Sequence, residues 1–88
     1  MILRVTEFVH TLDGPNGDNP RTIIKWVSDN PRITIFTNCS GIFDLPQVGR
    51  MERNFNRTFA DDSPSDYTDL ELRIRIRNWL DTFLFTLR

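Results

Sequence analysis

The chain carries one cysteine, Cys39, one histidine, His10, and one lysine, Lys25, against ten arginines. A lone cysteine rules out an internal disulfide, and a single His with a single Cys is too few for metal sites built from several such ligands. Neither a metal nor a cofactor is therefore expected. No apolar run approaches the roughly 18 to 20 residues needed to cross a bilayer, and no basic segment followed by a long apolar one opens the chain. A cytoplasmic, soluble protein without membrane contact is the expectation. The four glycines form no phosphate cradle, and no serine has the flanking glycines of a nucleophile elbow.

What remains is enough for one globular domain. A length of 88 residues fits a single small domain, residues 1–88, with one modest core. A core of that size leaves stability marginal, so a second copy of the chain is a candidate partner from the outset. With 39% hydrophobic and 26% charged residues the chain is apolar enough to collapse. Its net charge of −1 argues against non-specific attraction to nucleic acid. Arginine in place of lysine favours contacts in which a cation stacks or donates two hydrogen bonds at once.

Three segments read as strands. Residues 2–10 place Leu3, Val5 and Val9 on one parity; residues 21–28 alternate Ile23, Lys25 and Val27 with Ile24 and Trp26; residues 32–37 are again β-branched and aromatic. Between the first two lies Leu12–Pro20, rich in Gly, Pro, Asn and Asp, which reads as a mobile arm too long for a tight turn. Asp29-Asn30-Pro31 supplies a sharp turn before the third segment. These features predict an antiparallel meander of three strands, with Ile42 and Phe43 as candidates for a short fourth.

Asp44, with Pro46 in the first turn and Gln47 three residues on, is a helix-start signal, because the carboxylate accepts from N–H groups that have no intrahelical partner. Leu45, Val48, Met51, Phe55 and Phe59 then share one helical face. An acidic connector follows from Ala60 to Asp66. The next segment is ambiguous: Leu70, Leu72, Ile74 and Ile76 alternate with charged residues, as in a strand. The charges decide for a helix, because Asp69 with Arg73, Glu71 with Arg75, and Arg77 with Asp81 are neighbours only at helical spacing, and Thr68 with Glu71 has capping-box spacing. Leu72, Ile76, Trp79, Leu80, Phe83 and Leu87 fall on one face of it. The expected fold is α+β in the order β-β-β-α-α, with both helices on one face of the sheet.

Two features suggest function. Arg50, Arg53 and Arg57 recur at spacings of three and four, which lines them along the outer face of the first helix, where they can meet phosphates or an acidic protein surface. On the second helix Leu70, Ile74, Leu84 and Phe85 add an apolar sector beyond the core set, more than one sheet-packed helix readily buries. Trp26, Trp79, Phe36, Phe43, Phe55 and Phe83 read as packing residues, and the acidic residues Asp61, Asp62, Asp66 and Asp69 as a solvated connector. The leading expectation is a non-catalytic protein-binding module, a compact accessory or inhibitory protein of phage or viral type acting on a larger protein assembly. Its partner-binding residues would be Arg50, Arg53, Arg57, Leu84 and Phe85. The alternative is a nucleic-acid-binding protein using the arginine-lined helix. A third is a small toxin-like endoribonuclease with arginines stabilising charge on phosphate.

Overall fold

Alternating β-branched and aromatic residues build a three-stranded antiparallel sheet in the computed structural model, which describes residues 1–29 and 32–86. Strands β1 (Arg4–Asp13), β2 (Asn19–Asp29) and β3 (Arg32–Ser40) are ordered β1-β2-β3, and helices α1 (Leu45–Thr58) and α2 (Asp69–Thr86) follow. The order β-β-β-α-α is the one expected, and the sheet is open. Asn30 and Pro31 of the expected turn, and Leu87 of the expected helix face, lie outside the described residues.

Each helix starts at the predicted cap. Asp44 accepts from the Gln47 N–H at 2.9 Å, and the Gln47 side chain accepts from the Asp44 N–H at 2.9 Å. Thr68 and Glu71 make the same reciprocal pair at α2. Of the three charge pairs expected along α2, only Arg77–Asp81 forms among the described residues, at 3.4 Å. Glu71 is taken by the cap, while Arg75 lies over the Tyr67 ring at 5.4 Å and donates to its hydroxyl at 3.3 Å. Helical spacing made the pairs available; competition from the cap and from an aromatic face decided which formed.

The core lies between the helices and one face of the sheet. Ile24 and Trp26 of β2 and Ile35 and Cys39 of β3 meet Val48, Met51 and Phe55 of α1 and Leu72, Ile76, Leu80 and Phe83 of α2, all buried. At its centre Phe55 packs against Trp26 (5.6 Å between ring centroids) and edge-on against Trp79 (5.1 Å). Both indole N–H groups donate within the fold, Trp26 to Thr37 Oγ1 and Trp79 to Asn54 Oδ1. Both tryptophans are thus structural, as expected. One further hydroxyl steers the chain: Thr22 Oγ1 donates to the Gly41 carbonyl and accepts from the Phe43 N–H. Gly41 has φ +105°, a backbone region that disfavours side chains, and there the chain leaves β3 to turn beneath the sheet. Ile42 and Phe43 therefore form this crossing and no fourth strand.

Three other expectations need correction. A β-bulge between Val5 and Glu7 inserts a residue, so Phe8 faces buried Ile24 while Val9 turns outward, 54% exposed. The parity of Leu3, Val5 and Val9 breaks there. The Leu12–Pro20 segment is no separate arm: Leu12 pairs with Pro20 and Asp13 with Asn19, leaving only residues 14–18 as the loop. Leu45 belongs by periodicity to the buried stripe of α1 yet is 70% exposed, bordering an open groove between α1 and β1 with Val5, Phe8 and Glu52. Among the described residues no helix is long and apolar enough to cross a membrane.

Candidate functional site

Helix α1 can be read side by side. One side, Val48, Met51 and Phe55, is buried in the core. A second faces the edge of β1, where Asn56 accepts from the Leu3 N–H and donates to the Leu3 carbonyl, and Glu52 accepts from the Val5 N–H at 2.6 Å. These contacts satisfy the first backbone groups of an edge strand, which would otherwise be open to pairing with another chain. A third side carries Asn54, which holds the Trp79 indole of α2 at 2.8 Å. The fourth is arginine. Arg50, Arg53 and Arg57 are exposed, lie diametrically opposite the core side, and form no hydrogen bond or ion pair with any described residue. At 1.5 Å per residue they span about 10 Å.

The second predicted surface is more divided. Leu84 and Phe85 border a cavity of about 230 Å³ at the C-terminal end of α2, beside Arg21, Cys39 and Arg77. Leu84 is half-buried against the core, whereas Phe85 is 76% exposed. Leu70 and Ile74, at the other end of the helix, are 68% and 51% exposed. By helical angle Leu70, Ile74, Arg77, Asp81 and Phe85 form one seam opposite Leu72, Ile76 and Phe83. The arginine face and this seam are on different helices, so the sequence-predicted residues make two surfaces and not one.

One exposed residue escaped sequence reasoning. Phe36 was expected to pack, but its register places it on the open face of the sheet, 63% exposed, beside Lys25. The signal was present in the alternation, since Ile35 and Thr37 take the inner face and Phe36 must take the other. Phe43 is half-buried and Phe55 and Phe83 are buried, as expected.

Little in the described residues resembles a reaction centre. His10 is exposed, with Nε2 2.7 Å from the Phe43 carbonyl oxygen. Cys39 is buried beneath β3, and burial pushes its thiol pKa up, which keeps it protonated and poorly nucleophilic at neutral pH. In the acidic connector, Asp62 accepts from the Tyr67 hydroxyl at 3.0 Å, and desolvation together with that bond raises the Tyr67 pKa. No three His, Cys, Asp or Glu side chains converge as metal ligands among the described residues. Every buried side-chain nitrogen or oxygen there has a hydrogen-bond partner, so no orphaned polar atom marks a binding pocket. Compared with protein-family models, curated proteins and solved structures, the chain matches none.

Proposed function

We propose that this chain is a non-catalytic protein-binding module whose arginine face on α1 docks on an acidic surface of a larger protein assembly. The observation that carries this reading is the division of labour around α1. Three of its sides serve the core, the β1 edge and α2, and the fourth holds three exposed arginines without a partner among the described residues. A cation on a helix pinned on three sides loses little backbone freedom on binding, and guanidinium groups match carboxylates two bonds at a time. The Leu84 and Phe85 end of α2 is a second, separate and more apolar contact surface of the same module.

A protein partner is favoured over nucleic acid because the cationic surface is short and sits on an acidic chain. Twelve Asp and Glu outnumber eleven Lys and Arg. Asp61 and Asp62 follow α1 directly and would oppose a phosphate backbone extending past Arg57. The test is affinity capture with the tagged chain, with and without nuclease, comparing wild type with the triple variant Arg50→Ala/Arg53→Ala/Arg57→Ala. A stoichiometric protein that withstands nuclease and is lost from a triple variant with unchanged circular dichroism is the expected result. Captured nucleic acid with a steep salt dependence would move the function to nucleic-acid binding. A protein held equally by the triple variant would remove the arginine face from the site.

A further inference from the structure

We infer that the outer edge of β1, from Phe8 to Leu12, receives an extended segment of another protein as an added strand, a segment whose apolar residues are flanked by Lys or Arg. The inference goes beyond the arginine face of α1 and uses none of its residues. Strand register fixes which backbone groups are available. The Pro20 carbonyl accepts from the Gly41 N–H at 2.8 Å, so along β2 the groups of Pro20, Thr22, Ile24 and Trp26 turn toward β3 and those of the residues between them toward β1. Their partners Glu7, Val9 and Thr11 are thereby engaged with β2, and Phe8, His10 and Leu12 each direct one N–H and one C=O to the open edge. Leu3 and Val5 face the same way, and there Asn56 and Glu52 occupy the groups. From Phe8 to Leu12 no described residue does so.

The chemistry of this edge selects the occupant. Donors and acceptors that repeat at every second residue over about 14 Å are complementary to an extended backbone. Side chains of an added strand alternate, and those on the helix side enter the groove of about 400 Å³ that Val5, Phe8, Leu45 and Val48 line between β1 and α1. Leu12 and Leu45 are exposed on that side of the sheet and Val9 on the other, so an added strand covers apolar surface on both faces. On the outer face Glu7 and Asp13 bracket Val9 and Thr11, which favours a segment with cationic ends. The same charges disfavour a second copy: antiparallel self-pairing over the whole open stretch sets Phe8 against the other copy's Leu12, and each Glu7 against the other copy's Asp13. The far edge of the sheet is better guarded. Arg77 donates to the Asn38 carbonyl at 3.4 Å, and Arg73 and Arg77 line the groove beside Phe36.

Synthetic peptides test the pairing. The probe is a panel of nine-residue peptides in which Val, Ile, Leu or Phe alternates with Thr, each made once with Lys at both ends and once with Glu. Binding to the full chain is followed by fluorescence anisotropy, and the tightest peptide is studied by amide hydrogen exchange. Lys-ended members should bind about tenfold or more tightly than their Glu-ended counterparts. The bound peptide should slow exchange at the Phe8, His10 and Leu12 amides and leave Val9 and Thr11, already paired with β2, unchanged. Methylating alternate peptide nitrogens should abolish binding in one frame and spare it in the other. Leu12→Pro removes one edge donor without touching the β2 ladder, and Leu45→Lys charges the groove at an exposed position; each, with unchanged circular dichroism, should weaken binding about tenfold. The inference is overturned if no member binds at millimolar concentration, if Glu-ended members bind equally, if those three amides gain no protection, or if both variants bind as wild type does. Protection of the same amides in the free chain, rising with concentration as a dimer appears in sedimentation, would put a second copy on the edge and also overturn it. The triple variant of Arg50, Arg53 and Arg57 should bind the peptides as wild type does, so failure at the edge and failure of the arginine face are read separately.

Discussion

The two helices rest on the same face of the same sheet but relate to their surroundings differently. Beyond its first turn, where Leu45 is exposed, helix α1 separates its residues cleanly: apolar side chains inward, amide and carboxylate groups toward β1 and α2, arginines outward. Helix α2 has an equally complete inner face but exposes Leu70, Ile74 and Phe85 on its outer one. A helix whose polarity matches its burial is accounted for by the fold alone. A helix with apolar side chains on both sides contains more hydrophobic surface than the monomer uses, and that surplus is what points to an interface.

The comparison is broken most severely at the residue both helices share. Phe55→Ala removes a ring that contacts Trp26, Phe59 and Trp79, and should cost about 3 to 5 kcal/mol in urea denaturation, whereas Ile74→Ala on the outer seam should change monomer stability by less than about 0.5 kcal/mol. Equal losses would mean that the outer side of α2 is covered within the monomer. A smaller effect sharpens the account of α1. Asn56→Ala leaves the Leu3 N–H and carbonyl without their side-chain partner and should destabilise by about 1 to 3 kcal/mol, measured the same way. Loss of protection in hydrogen exchange should be concentrated at the Leu3 amide.

The smallest effect concerns Cys39, near the C-terminal end of α2. Its pKa is raised in the folded chain, chiefly by burial, so the folded state holds the thiol proton to higher pH than the unfolded state does. The stability tied to this group is complete below the ordinary thiol value of 9.0 and declines as pH rises from there through the folded value. Cys39→Ser should flatten that alkaline decline in urea midpoints. At neutral pH a thiol reagent should label wild type only at the rate of unfolding, and rapid labelling of the native chain would show that the seam end of α2 opens.

Much of the fold was legible in the sequence because its signals are local. Asp44 with Gln47 and Thr68 with Glu71 announce helix starts through neighbours three residues apart, and both caps form. The arginine face follows from spacings of three and four and required no tertiary information beyond which side of α1 is buried. The seam of α2 was only partly legible. Leu70, Ile74, Leu84 and Phe85 stood out as surplus, but Leu84 turned inward against the core while Phe85 did not. Their helical angles differ by a single residue's rotation, and only the position of β3 beside the helix separates them.

By itself the sequence determined the type and order of the three strands and two α-helices and the residues that begin each helix, since periodicity and capping act over a few residues. Tertiary structure decided what depends on distant partners. The bulge after Val5 exchanged Val9 for Phe8 on the inner face, the Thr22 hydroxyl drew Ile42 and Phe43 beneath the sheet in place of a fourth strand, and the open sheet left Phe36 in solvent. Each of these outcomes turned on which of two locally acceptable arrangements satisfied more buried groups, a comparison that exists only once the strands and helices are in contact.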